Sequence, residues 1–368
     1  MIKLLFEVGH LYHRAVLDPL YEVFRQDPQY EIAFICSHDA ERRFGLFNRS
    51  LRSEVEAHLR AEGLMTADDT HGFDVVITGD TMRKPQRYGQ TLLCFVNHGT
   101  GIKSLEQQHL QALARTRYQV FVEGQYRMDA YCQAGAKGLS TFYKVGLPKL
   151  DPLFWPGYPT REAILRRLGL DPAKPTVLFA PTYKPTCIDI VRERILTETT
   201  EYNLIIKLHQ YSWRGKYAPH WHHTLYECAV THYPHAVLIP ANDYNILPYL
   251  YAADTLISEA SSTMFDFVAL DKIGIIFVLP NTSLKHHDGA PLLDEDPQHF
   301  LEGAFVHISH PDEIHAAVAE AVRDSPQRRA RARQYRDYLF FGLDGQASQR
   351  TKTIIERLLA EGGHANNP

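Results

Sequence analysis

No stretch of this sequence approaches the ~20 consecutive apolar residues of a membrane-spanning helix. The opening MIKLLFEVGH is apolar but too short for a secretory leader and has no small-residue cleavage site, so it reads as a first strand. Cysteine is scarce: five residues, an odd number with no CxxC pair, argue against a disulfide framework and fit a reducing compartment. Neither sign of charge dominates, since 39 Lys+Arg against 43 Asp+Glu leave a net charge of -4 and no global field to draw in nucleic acid. Internal repeats and low-complexity tracts are also missing. What is present is the balance of a globular protein, 45% hydrophobic and 22% charged over 368 residues, enough for two domains. The expectation is a two-domain cytoplasmic protein with one compositional oddity, its 20 histidines.

Short β-branched and aromatic runs recur along the chain. Strands are expected at residues 2–8, 32–36, 74–78, 91–97, 119–122 and 142–145, then at 176–180, 203–208, 236–239, 255–258, 274–279 and 304–308. Most are continuous apolar runs, as in strands buried on both faces of a parallel sheet. The segments between them mostly have room for crossover helices, so each half reads as a doubly wound α/β unit. The Pro- and Gly-punctuated stretch DPLFWPGYPT, residues 151–160, separates the halves. The expected divisions are 1–155, 156–340, and a C-terminal helix and tail over 341–368, the last residues GGHANNP frayed. Ligands of such sheets bind outside the carboxyl ends of the strands, here in a cleft between two facing domains, so the residues that follow strands matter most.

Four such places carry chemistry. After the strand at 91–97 comes His98-Gly99-Thr100-Gly101-Ile102-Lys103, a histidine able to take a proton from a hydroxyl beside glycines that admit close backbone approach. The same residues read equally as a glycine turn with His98 capping a helix. After the strand at 176–180, Pro181 ends the strand, and Thr182 and Lys184 are within reach of a nucleotide, although a plain turn also fits. Lys207 and His209 close the next strand, on one face by alternation, as a clamp for phosphoryl oxygens. Finally Ser261, Ser262 and Thr263 open a helix. One hydroxyl suffices for an N-cap, and three in succession favour a phosphate cradle over the helix's open N–H groups.

In order, HGTGIK (98–103), GLPKLD (146–151), APTYK (180–184), KLHQ (207–210), SEASSTMFDF (258–267) and DGQASQR (344–350) resemble a known motif series. It is that of the CDP-glycerol glycerophosphotransferase family of teichoic-acid synthesis, where the counterparts read HGTPLK, GYPRND, APTWR, KLHP, TDYSSVMFDF and DGKASER. The resemblance runs from about His98 to Arg350. It implies GT-B architecture, two Rossmann-like domains facing a central cleft. It also implies roles: His98 as catalytic base with Gly99, Thr100, Gly101 and Ile102 lining the donor, and Lys149 near the donor phosphate. Pro181 and Thr182 would contact the nucleotide. Lys207, Leu208 and His209 would form the segment with the second functional histidine, and Ser261, Ser262 and Asp266 would bind donor. The sequence departs from the pattern at Asn97 for tryptophan, Gly101 for proline, Glu259-Ala260 for Asp-Tyr and Gln210 for proline. At Lys149 it lacks the family's arginine, which grips phosphate bidentately.

Other clusters compete. His220, His222, His223, Cys228, His232 and His235 are ligand types for zinc but match no complete metal-site spacing, and a surface helix is expected there. His286, His287 and Asp288 read as part of a cleft loop, and Asp294-Glu295-Asp296 as a solvated loop between prolines. ERRFGLFNRSLRS, residues 41–53, reads as a solvated helix, with anionic lipid head groups as the alternative partner. No metal or cofactor is expected, because a GT-B enzyme neutralises a leaving diphosphate with helix N–H groups and cations.

The expected activity is transfer of glycerol phosphate, or a related polyol phosphate, from a CDP donor to a hydroxyl of a lipid-linked or polymeric acceptor. Peripheral contact with the inner membrane face is part of that expectation, and nucleic acid is not. The length mildly favours a short product. The alternatives are a GT-B glycosyltransferase using a nucleotide sugar, or a nucleotide-binding homologue without catalysis. Retention of both His98 and His209 weighs against the latter.

Overall fold

A computed structural model of the chain describes residues 1–36, 41–43, 47–49, 51–82, 84–99, 107–136, 138–183, 186–214, 221–259, 261–279, 299, 301–323 and 325–362. Contacts divide the chain into two units. The first holds the residues up to His98, those from the helix at Gln107–Arg115 to Pro156, and the segment from Leu339 through the last helix. The second holds Gly157–Tyr338, and Gly99 groups with it.

The first unit is built on β1 (Ile2–Glu7), β2 (Tyr30–Ile35), β5 (Val75–Thr78), β6 (Leu92–Val96), β7 (Tyr118–Val122) and β8 (Thr141–Lys144), with a separate pair β3 (Glu41–Arg43) and β4 (Phe47–Arg49). The six-stranded sheet runs β2-β1-β5-β6-β7-β8, every pairing parallel. Helices α1 (Arg14–Phe24), α2 (Leu51–Ala61), α3 (Gln107–Arg115) and α4 (Gln125–Gln133) lie between strands. Strands β5, β6 and β7 are buried along their length, as their largely apolar sequences require, whereas edge strand β8 is partly exposed. Strand order reverses between β1 and β5, so the loops after these two strands flank the switch point.

The second unit repeats the plan. Strands β9 (Thr176–Phe179), β10 (Asn203–Ile206), β11 (Ala236–Leu238), β12 (Thr255–Ser258), β13 (Ile275–Phe277) and β14 (Val306–Ile308) form a parallel sheet ordered β11-β10-β9-β12-β13-β14. Its helices are α5 (Arg161–Arg167), α6 (Ile188–Val191), α7 (Arg194–Thr197), α8 (Gln210–Arg214), α9 (Trp221–Ala229), α10 (Leu247–Ala252), α11 (Ser262–Ala269), α12 (Ile314–Val322) and α13 (Pro326–Leu339). Here the switch point lies between β9 and β12. One core cluster joins Phe179, Ile206 and Ile257 of the sheet, with Leu208 just after β10, to Ile314 and Val318 of α12.

The last helix, α14 (Ala347–Ala360), returns to the first unit. Its approach needs Gly124, where a Cβ would fall 1.8 Å from the Leu339 carbonyl oxygen. The Phe341 N–H then donates to the Glu123 carbonyl at 2.8 Å. Lys352 of α14 meets Asp27 at 2.7 Å and lies over the Tyr30 ring.

All twelve expected strands are present, with ends within two residues of expectation. Two readings are corrected. Residues 41–53 are not one solvated helix: β3 and β4 pair antiparallel, and α2 starts only at Leu51. The sequence offers Gly45 among the three residues joining those strands, a hairpin feature and a poor helix interior. In addition β10 ends at Ile206, so Lys207 and His209 lie beyond the strand and its alternation does not govern them. The tail residues 363–368 lie outside the described residues.

Candidate active site

In the first unit His98 follows β6. Its Nδ1 lies 2.6 Å from the Gly79 carbonyl oxygen, in the loop after β5. A carbonyl only accepts, so Nδ1 carries the proton and the lone pair of the neutral ring is on Nε2. Three further rings crowd this place. His13 is 4.5 Å from His98 by ring centroids and Tyr12 is 5.5 Å, while His10 stacks on Tyr12 at 5.0 Å. The loops after β1, β5 and β6 thus converge beside the switch point. A further imidazole, His109 on α3, is 3.3 Å from both Thr81 Oγ1 and Tyr131 Oη. Burial pushes its pKa down to about 4, against the pull of Asp80, so it is neutral at physiological pH.

Lys149, the other expected donor contact of this unit, is buried in the 3-10 turn Pro148–Phe154 after β8. The same turn supplies Asp151, whose carboxylate accepts from the N–H groups of Ala347 (3.1 Å) and Ser348 (2.6 Å) at the start of α14. Arg350 donates to the carbonyls of Val145 (2.7 Å) and Gly342 (2.9 Å) and pairs with Asp344. The motifs GLPKLD and DGQASQR therefore meet each other as one structural joint. Thr100, Gly101 and Ile102 lie outside the described residues.

In the second unit the loops after β10, β9 and β12 are neighbours because the strands are. Glu259, the first residue after β12, is 2% exposed and reaches under the β9 loop. One carboxylate oxygen accepts the Thr182 N–H at 2.8 Å and the other the Cys187 N–H at 2.7 Å. Ser258 Oγ donates to the Ala180 carbonyl at 2.7 Å. Burial raises the Glu259 carboxyl pKa, and the two N–H groups oppose the rise. This brings Pro181 and Thr182 together with the Ser261 loop. Glu259 counts only as a departure when read as sequence, yet it is the residue that shapes the site.

Lys207 is 9% exposed, and burial brings its pKa down to about 8 although Asp243 opposes the fall. Leu208 belongs to the hydrophobic core, so its side chain serves packing. His209 Nδ1 accepts the Tyr211 N–H at 3.1 Å at the start of α8, which puts the proton of the neutral ring on Nε2. Its ring packs 4.5 Å from Tyr183, joining the β10 loop to the β9 loop. Ser261 is the N-cap of α11, accepting from the Thr263 N–H and hydroxyl at 3.4 and 3.0 Å. Ser262 is the first helical residue, and Asp266, one turn on, is buried. The hydroxyls thus divide between a cap and the first helical turn, the end of the helix whose dipole favours an anion.

Among the described residues no group of three or more His, Cys, Asp or Glu is arranged to hold a metal ion. His222 meets Asp189 at 2.9 Å, His223 meets Glu227 at 2.9 Å, and His235 contacts the Leu196 carbonyl at 3.1 Å. His220, His286, His287, Asp288, Lys184 and residues 294–296 lie outside the described residues. No helix among the described residues is long and apolar enough to cross a membrane.

The family model described as CDP-Glycerol:Poly(glycerophosphate) glycerophosphotransferase matches residues 18–357. No curated protein sequence matches significantly. Among solved structures, the wall teichoic acid polymerase TagF superposes with a TM-score of 0.65 at 14% identity, covering 98% of this chain and 90% of that one. A variant of TagF soaked with CDPG gives 0.67 at 14% identity, over 98% and 89%. A putative UDP-N-acetylglucosamine 2-epimerase from Listeria monocytogenes gives 0.63 at 13% identity, over 100% and 98%. At such identities the likeness bears on the fold, which is of the GT-B type with two Rossmann-like α/β domains.

Proposed function

The chain belongs to the CDP-glycerol:poly(glycerophosphate) glycerophosphotransferase family, and from that premise we propose that it transfers glycerol phosphate, or a related polyol phosphate, from a CDP donor to an acceptor hydroxyl. The acceptor is a lipid-linked molecule or a cell-surface polymer, met by peripheral contact at the inner membrane face. The low cysteine content, five residues with no CxxC pair, supports a reducing, cytoplasmic setting.

The first unit acts on the acceptor and the second holds the donor. His98 Nε2 takes the proton of the attacking hydroxyl, whose oxygen bonds to the phosphorus of the transferred group. The phosphorus–oxygen bond to CMP breaks, and CMP leaves. In the second unit the Lys207 ammonium and the His209 Nε2–H balance charge on phosphoryl oxygens. Ser261, Ser262 and the N-terminal turn of α11 hold the diphosphate, and the loop through Pro181 and Thr182 holds the nucleotide. Gly99 to Ile102 line the donor, and Lys149 and Asp266 complete its surroundings. Phosphoryl transfer depends on positioning and charge stabilisation, and these residues supply both.

The observation that carries the reading is the His98–Gly79 hydrogen bond, which makes Nε2 the basic nitrogen of a strand-end histidine. The test is CMP release by the purified chain from CDP-glycerol and CDP-ribitol, with UDP-, GDP- and CMP-sugars in parallel and lipid-linked polyol acceptors present. Turnover confined to the CDP-polyols is expected. Turnover of a nucleotide sugar alone, or tight donor binding with no turnover on any acceptor, overturns the proposal.

A further inference from the structure

The segment GHLYHR, residues 9–14, follows β1 and bears four polar or aromatic side chains that the roles above do not use. We infer that His13 is a positioning residue for His98, packing against its imidazole so that Nε2 keeps one direction. The inference rests on the reading of His98 as the general base.

Three observations converge. His13 is 1% exposed, and its ring lies 4.5 Å from that of His98 with 33° between the planes, a close tilted contact. Tyr12 packs edge-on against His13 at 4.7 Å and His10 does so at 5.4 Å, so His13 is itself braced on two sides. Gly79 completes the arrangement. A Cβ there would stand 3.1 Å from His13 Cβ and 3.3 Å from its Cγ, closer than ordinary packing allows. The missing side chain thus lets His13 rest on the stretch of backbone whose carbonyl binds His98 Nδ1. The hydrogen bond fixes one point of the His98 ring, and the ring of His13 beside it limits rotation about that point. Misplacing a reacting group by about 1 Å costs on the order of 100-fold in rate, so the brace matters to turnover rather than to donor binding.

The experiment compares His13→Ala, His13→Phe and Gly79→Ala in the full chain. His13→Ala is expected to lower kcat roughly 10- to 100-fold while the KM for CDP-glycerol stays within about 2-fold. His13→Phe keeps the flat ring and should stay within about 5-fold of the parent kcat. Gly79→Ala should displace His13 and reproduce the loss. A second readout needs no turnover: nitrogen NMR of His98 should show the Nδ1-protonated tautomer in the parent and in His13→Phe, and a mixture in His13→Ala. An unchanged kcat in folded His13→Ala, or equal impairment of the Ala and Phe variants with equal melting temperatures, overturns the inference. If the parent releases no CMP from any donor, the functional reading fails by itself. The NMR comparison then still decides the brace, and an unchanged His98 tautomer in His13→Ala and Gly79→Ala overturns it.

Discussion

Asp151 accepts the backbone N–H of Ser348 at 2.6 Å across 197 positions of sequence, so a carboxylate in the turn after β8 caps the last helix of the chain. The bond helps close the first unit, because α14 packs where α1 and β2 lie and this carboxylate, with the Arg350–Val145 hydrogen bond, ties its start. Asp151 is 2% exposed, and its removal leaves the N–H groups of Ala347 and Ser348 without that acceptor. Asp151→Ala should therefore cost about 1–3 kcal/mol, a lost cap plus buried donors left unpaired. Thermal unfolding checks this, and an unchanged melting temperature would show that the cap contributes nothing.

Glu259→Gln tests the carboxylate beneath the β9 loop. An amide has one acceptor oxygen where the carboxylate has two, so either the Thr182 or the Cys187 N–H must face an NH2 group. The expected result is a donor Kd about 10-fold weaker and a stability loss of roughly 1–3 kcal/mol. Calorimetric titration with a CDP donor and a melting curve measure the two effects. Wild-type values in both would remove Glu259 from the shaping of this loop.

Lys207 links stability to donor binding through pH. Burial holds its pKa at about 8, so the native state binds that proton less tightly than the unfolded chain. The penalty is full below pH 8, fades as pH rises toward the unfolded value of ~10.4, and is gone above it, where neither state is charged. Lys207→Met should therefore stabilise the protein at pH 7 by roughly 2–3 kcal/mol, with the gain shrinking between about pH 8 and 10.4. It should also weaken donor binding, whereas the parent should lose affinity as pH rises through about 8. A variant less stable at pH 7 than at pH 10, relative to the parent, would reverse the sign and sink the argument.

How much of this was legible in sequence follows from the range of the forces involved. The inner strands announce themselves because burial on both faces favours apolar runs such as LLCFV in β6. His98, Lys207, His209 and Ser261 stand out because polar residues directly after such runs lie at strand ends. Glu259 was hidden, since a carboxylate gives no local sign that two backbone N–H groups will turn toward it. The Asp151–Ser348 cap was hidden by its span, and the His13 brace because its partners, Gly79 and His98, follow two other strands. The β3–β4 pair was misread because its short runs, ERR and FNR, carry too little apolar pattern to distinguish strand from helix.

The two histidines hold opposite tautomers, and that asymmetry makes the last prediction. His98 gives its Nδ1–H to Gly79 and keeps a lone pair on Nε2, whereas His209 accepts from Tyr211 at Nδ1 and keeps a proton on Nε2. One is thereby suited to take a proton, the other to donate a hydrogen bond to an anionic oxygen. His98→Ala should lose at least ~100-fold in kcat, and His98→Gln should lose as much, because an amide is not a base. His209→Ala should lose roughly 100- to 1000-fold, the range for removing one preorganised donor. His209→Gln should recover part of that loss, since its amide N–H falls near the position of Nε2–H. Rapid-quench measurement of CMP formation separates chemistry from binding in all four variants. If glutamine rescues position 98 and fails at position 209, the assigned roles are the wrong way round.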